Sequence, residues 1–180
     1  MPFSFVRSRR VAALAVIALS ATAAGCSLGG DTSLPPYTDP ATQTYAAVTN
    51  VTIANMTRVD AQLYTQDVTI GTGRTVARGD SIRAYYAGRL TGGFRFDSLA
   101  RPATPLSAVL DTTNQVNGVI KGWVVGLAGM KAGGVRRLVI GPESAYRFAT
   151  RVDRNGAVLI PPNSVLVFDV EVVEAFARLQ

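Results

Sequence analysis

The chain has 180 residues, 48% hydrophobic and 17% charged, which supplies one core of ordinary size and hardly enough for two. With no histidine and a single cysteine, it cannot form an internal disulfide and lacks the usual neutral-pH general base and the commonest zinc ligand, which argues against triad hydrolases and zinc chemistry. Its formal charge is +6, but Arg7, Arg9 and Arg10 fall in a segment expected to be removed, and the remaining excess is scattered, with Arg136-Arg137 its one adjacent pair; a nucleic-acid surface needs a clustered basic stripe, so no nucleic-acid partner is expected.

In chain order, the three N-terminal arginines precede an apolar run from Val11 to Ala24, long enough for an export signal and too short to cross a bilayer comfortably. The run closes on Ala23-Ala24-Gly25 and then Cys26, which resembles the bacterial lipobox, although Ala23 stands where that motif usually has Leu. The resemblance implies a lipoprotein signal peptide over residues 1–25, a lipid on Cys26, and an exported domain anchored to a membrane of the cell envelope and facing the periplasm. Residues 26–44, with Gly29-Gly30, Pro35-Pro36 and Pro40 and no apolar period, predict a flexible tether. Over residues 45–67, Val48, Val51 and Ile53 read like a strand, whereas Met56, Val59 and Leu63 recur at helical spacing. A dimerisation arm and a strand added to a sheet edge both remain open there.

Gly71 to Thr75 lacks the spacing and the Lys of a phosphate loop and reads as a hairpin or loop. Ser81 to Leu90 alternates as a strand, with Ile82, Ala84, Tyr86, Gly88 and Leu90 on one face. Ile120, Trp123, Val124 and Leu127 share one face of a short helix flanked by glycines. Val135 to Ile140 reads as a strand, as does Ser164 to Val173, with Leu166, Phe168, Val170 and Val172 inward and Asp169 and Glu171 outward. Between them, residues 141–162 carry no period and predict a long loop, a common place for function. One short helix against antiparallel strands is an α+β domain, expected to occupy residues 68–180.

Six motifs, in order and at near-family spacing, carry a resemblance: Tyr85-Tyr86-Ala87-Gly88, Phe96-Asp97-Ser98, Val119-Ile120-Lys121-Gly122-Trp123, Ala145-Tyr146, Ile160-Pro161-Pro162, and Val167-Phe168-Asp169-Val170-Glu171. From Val68 to Phe176 the chain resembles FKBP-type peptidyl-prolyl cis/trans isomerases, immunophilins that bind rapamycin. The resemblance implies a bent antiparallel sheet wrapped around one short helix. It implies a substrate pocket with Trp123 as floor, Tyr86, Phe96, Val119, Ile120 and Phe168 as walls, Asp97 and Tyr146 as the polar catalytic edge, and no cofactor or metal. Leu106 stands where the family usually has an aromatic wall, Leu159 and Ile160 fall on an overhanging loop, and Arg147 replaces a usual Gly. An insertion is expected between Asp111 and Gly118. The implied partners are proline-containing polypeptides, among them folding envelope proteins, and rapamycin-type macrolides.

This chemistry suits the residues. Rotation about X-Pro has a barrier of roughly 18–20 kcal/mol and breaks no covalent bond, so binding the twisted amide better than the planar forms suffices. Two alternatives stand beside it. One is an FKBP-fold chaperone or peptide-binding module with little or no turnover; the other is a hydrolase pairing Asp97 with Asp111 or Glu143.

Overall fold

The computed structural model describes residues 36–112 and 118–177. The signal peptide, Cys26 and most of the insertion between Asp111 and Gly118 lie outside the described residues. The strands are β1 (Thr57–Asp60), β2 (Leu63–Thr69), β3 (Ser81–Leu90), β4 (Arg95–Leu99), β5 (Leu106–Val109), β6 (Gly134–Ile140), β7 (Arg151–Val152), β8 (Val158–Ile160) and β9 (Leu166–Phe176), with one α-helix, α1 (Lys121–Gly126). Seven strands form an antiparallel sheet in the order β1-β2-β6-β9-β3-β4, and β5 also pairs with β3. Both β4 and β5 lie along the edge of β3 opposite β9. β5 meets Ser81 to Ala84 and β4 meets Tyr86 to Arg89, so the two act as one edge strand interrupted between Leu99 and Leu106. Among the described residues this is the α+β arrangement of one short helix against antiparallel strands that the pattern predicted, and the bent sheet that the resemblance implied.

The inner face of the sheet packs on α1. Ile82 and Ala84 from β3, Leu138 and Ile140 from β6, and Phe168, Val170 and Val172 from β9 bury against Trp123 and Leu127. The alternation read from β3 and β9 is the cause: period-2 apolar residues all reach one side of the pleat. The helix sits close to β6 because Gly122 and Gly126 lack side chains; a Cβ at Gly122 would lie 2.4 Å from Ile140 Cγ2, and one at Gly126 2.8 Å from Leu138 Cδ2. Its C-terminus is capped from the sheet. Arg136 donates to the carbonyls of Gly126 and Ala128 at 3.0 Å each, satisfying acceptors that the helix leaves open and placing a cation at the negative end of its dipole.

The outer face is covered too, by a segment the sequence reading left undecided. Tyr45, Val51, Ile53 and Met56 pack with Tyr64 of β2, Val139 of β6, and Val165 and Val167 at the start of β9. Residues 45–56 thus supply this cover together with Tyr64 of β2, and β2 pairs with β6 along its length. The boundary expected at residue 68 falls inside β2, because the sheet needs β2 to cover the edge of β6. Nor is the flexible tether loose as far as residue 44. Pro40 is buried, the Tyr45 hydroxyl donates to its carbonyl at 2.7 Å, Tyr37 stacks on Phe148 at 5.2 Å, and Asn163 accepts from Thr38 N–H at 3.0 Å. Residues 36–44 belong to the same compact unit as the sheet.

The adjacent pair Arg136-Arg137 is split by the pleat. Arg136 holds Asp67 of β2, at 2.6 Å, on the helix side. Arg137, 9% exposed, holds Asp169 of β9 at 2.7 Å and donates to the Asn50 carbonyl at 2.7 Å on the outer side. Asp169 faces away from the helix core as predicted, yet lies under the N-terminal cover. The long loop expected over residues 141–162 contains a 3-10 turn at Pro142–Ser144 and the hairpin of β7 and β8. Among the described residues no helix is long and apolar enough to cross a membrane.

Candidate functional site

A cavity of about 450 Å³ opens between α1, the edge of the sheet and the segment that follows β6. Trp123, on the first turn of α1, lies at its base and is 4% exposed. Phe168 from β9 meets it edge to face at 5.4 Å and 90°, and Tyr86 from β3 meets it at 5.4 Å and 80°. Phe96 from β4 meets Phe168 at 5.5 Å and 82°. Each contact sets a positive ring edge on a negative face, an arrangement worth about 0.5–1.5 kcal/mol beyond burial. Room for these rings comes from Gly88, whose missing Cβ would sit 2.7 Å from Phe96 Cε2 and 2.8 Å from Phe168 Cε1.

Leu106 from β5 and the pair Val119-Ile120, just ahead of the helix, complete the apolar wall. Ile120 is the N-cap of α1: its backbone is extended (φ −61°, ψ 150°), and its carbonyl accepts from Trp123 N–H at 2.9 Å. Tyr146 and Ala145 follow the 3-10 turn at Pro142–Ser144. Arg147 comes next with φ at +54°, the left-handed region where glycine is at ease and a larger residue is not. Two hydrogen bonds of 2.8 Å hold it there, Arg147 N–H to the Pro142 carbonyl and Asn163 N–H to the Arg147 carbonyl.

The polar edge has a definite arrangement. The Tyr86 hydroxyl donates to Asp97 Oδ2 at 2.7 Å. Burial, and then this bond to Asp97, push the Tyr86 phenol well above its ordinary value of 10.0, so it stays a neutral donor throughout the physiological range. Asp97 is therefore engaged by Tyr86 rather than standing alone. Arg151 stacks on the Tyr146 ring, its guanidinium carbon 4.4 Å from the centroid, a cation–π contact that steadies the rim. The buried Trp123 Nε1–H has no hydrogen-bond partner among the described residues, a donor that a bound acceptor would satisfy.

Of the expected site residues, Tyr86, Phe96, Asp97, Leu106, Val119, Ile120, Trp123, Tyr146 and Phe168 all line this one cavity. Leu159 and Ile160 do not. Ile160 is 4% exposed in the core and Leu159 is partly buried against the same cluster; Ile160 pairs with Arg151 in the hairpin. The hairpin instead brings Arg151 to the cavity, and Thr112 joins it. Neither carries a sequence signal, since each reaches the cavity only through a non-periodic connection. A hydrolytic carboxylate pair does not assemble: Asp97 is the one carboxylate among the described lining residues, and Glu143 lines a neighbouring groove.

The FKBP-type peptidyl-prolyl cis-trans isomerase family matches this chain over residues 72–173. The FK506-binding protein of Neisseria meningitidis is 36% identical over 114 residues, covering 63% of this chain and 96% of that protein. The FKBP-type peptidyl-prolyl cis-trans isomerase FkpA of Escherichia coli is 42% identical over 109 residues, covering 61% of this chain and 36% of FkpA. The crystal structure of FkpA aligns with a TM-score of 0.56 at 36% identity, over 68% of this chain and 52% of that one. Against longer relatives the match is partial, spanning 20% of FK506-binding protein 4 of Chaetomium thermophilum and 39% of the probable isomerase of Haemophilus influenzae. A family match over more than half of its length, centred on the strands and helix that build this cavity, makes the chain a member of the FKBP-type peptidyl-prolyl cis-trans isomerase family.

Proposed function

We propose that this protein accelerates cis/trans isomerisation of X-Pro bonds in proline-containing polypeptides, by desolvating the prolyl amide and binding its twisted form. The observation that carries this reading is the aromatic floor: Trp123 crossed edge-on by Phe168 and Tyr86 beneath an apolar wall, a shape and polarity that suit a pyrrolidine ring. Water favours the planar, charge-separated form of the amide, so moving the bond into this cavity lowers the cost of twisting it. The Tyr146 hydroxyl and the Ile120 N–H, neither of which has a partner among the described residues, would take the substrate carbonyls. Asp97, through the Tyr86 hydroxyl, would fix the polar side of the ring cage. A millionfold acceleration needs about 8 kcal/mol, within reach of several such contacts acting together.

The same reading places the domain outside the cytoplasm, tethered by a lipid on Cys26, with folding envelope proteins as clients and rapamycin-type macrolides as competitors for the cavity. Its test is protease-coupled or NMR-exchange turnover of a short X-Pro peptide, with and without rapamycin and with Trp123→Ala alongside. Turnover that rapamycin blocks and Trp123→Ala abolishes is the expected result. A folded sample that binds the peptide without turning it over would identify a peptide-binding module instead. Mass spectrometry of the peptide containing Cys26 tests the anchor.

A further inference from the structure

Beyond the wall formed by Val119 and Ile120 lies a second groove, of about 570 Å³. It shares Thr112, Val119, Ile120 and Ala145 with the aromatic cavity, so the two spaces adjoin across one ridge. Its floor is apolar, made by Val124 and Val125 of α1, while its rim carries Arg78, Lys121 and Arg147 against the single carboxylate of Glu143. All three cations are exposed. Among the described residues none of the three forms an ion pair, whereas Arg83, Arg89, Arg136 and Arg137 of the sheet each hold a carboxylate. Arg147, moreover, sits at φ +54°, a backbone that favours glycine and gives no reason of its own for a long cationic side chain.

We infer that the bound polypeptide runs from the aromatic cavity over this ridge into the second groove, and that the groove selects prolyl segments carrying acidic side chains a few residues from the proline. The inference rests on the isomerase reading of the aromatic cavity and adds a substrate preference to it. An extended chain advances roughly 3.3 Å per residue, so side chains two or three positions from a seated proline come level with the neighbouring groove. There an apolar floor accepts the chain's stem, and a rim with an excess of positive charge attracts Asp or Glu. Solvent-exposed charges of this kind steer encounter and choose among partners more than they add affinity, and salt weakens them.

The test compares kcat/KM of the full chain for three peptides that share one Leu-Pro core and carry Glu, Gln or Lys at positions two and three residues from the proline, on either side in turn. At low ionic strength the Glu peptide is expected to exceed the Gln peptide about fivefold and the Lys peptide to fall below it, with the spread collapsing toward about one at high salt. In the double variant Arg78→Gln/Lys121→Gln the Glu-to-Gln ratio should drop by at least half. Equal kcat/KM for the three peptides on the unaltered protein, with the Gln peptide turning over normally, overturns the inference and leaves the isomerase reading standing. If no peptide turns over, that reading fails, and fluorescence-anisotropy titration decides the groove: tighter, salt-sensitive binding of the Glu peptide retains it, and equal affinities reject it.

Discussion

The bond from Tyr86 to Asp97 offers a sharp handle on the candidate site. If Asp97 acts by holding Tyr86, and not by an independent contact with the substrate, the two residues form one functional unit. Tyr86→Phe keeps the ring that crosses Trp123 at 5.4 Å and deletes only the 2.7 Å donor; Asp97→Ala deletes the acceptor. A hydrogen bond to a charged group is worth about 1.5–3 kcal/mol, and because Asp97 is exposed the lower end applies. Each single change should therefore lower kcat/KM roughly tenfold. The double variant should be no worse than about the weaker single variant, leaving a coupling energy of about 1.5 kcal/mol. Turnover of one X-Pro peptide by the four proteins measures the cycle, with thermal melts to confirm folding. Additivity within about 0.3–0.5 kcal/mol would refute the reasoning and give Asp97 a role of its own.

Gly88→Ala places a methyl 2.7 Å from Phe96 and 2.8 Å from Phe168, so one ring must move; a loss of about 1–3 kcal/mol in stability, with a larger fall in turnover than in peptide-independent folding measures, is expected from melts and kinetics run together. Arg137→Ala leaves Asp169 with Arg89 at 3.9 Å and frees the Asn50 carbonyl; denaturant unfolding should show a loss of about 1–3 kcal/mol, and amide exchange should rise over residues 45–56. Glu171 is held below its ordinary 4.5 by two hydrogen bonds from Arg101, each 2.7 Å. Its folded value is depressed, so its contribution is complete above about pH 4.5 and is lost as pH falls through the folded value. Glu171→Gln should flatten the acid limb of the stability profile only slightly, because Arg101 is exposed and solvent screens the pair. At the alkaline end, Tyr45 and Tyr86 are both raised above 10.0, chiefly by burial; stability is full below that pH and is lost as pH climbs toward the folded values, with a shallower loss in Tyr86→Phe.

How far the sequence alone reaches depends on whether a residue's fate is set by period or by topology. Ile82, Ala84, Phe168, Val170 and Val172 declare themselves by alternation, since a pleated strand sends every second residue to one side, and Trp123 and Leu127 do so by helical spacing. Periodicity cannot say that the opposite face is also dry. Val139, Val165 and Val167 stand on the side of the pleat opposite Leu138, Phe168 and Val170, yet they are 0%, 4% and 1% exposed, because Met56, Tyr45, Val51 and Ile53 come from a separate stretch of chain to cover them. That stretch is built of short 3-10 turns at Ala47–Thr49 and Ile53–Asn55, which have neither a strand's period nor a helix's, so its pattern was necessarily ambiguous. The same logic separates the site residues. Tyr86, Phe96 and Phe168 arrive on strands whose register fixes their direction. Arg151 reaches the cavity from a two-strand hairpin whose pairing shifts by a residue between Arg151 and Val152, an irregularity that no sequence period marks. Arg137 joins the two halves of the problem: its neighbour Arg136 braces the helix that carries Trp123, while Arg137 itself ties the N-terminal cover to β9, the strand that carries Phe168. The cavity floor is thus clamped from both faces of the sheet, and neither clamp shows as a period in the sequence.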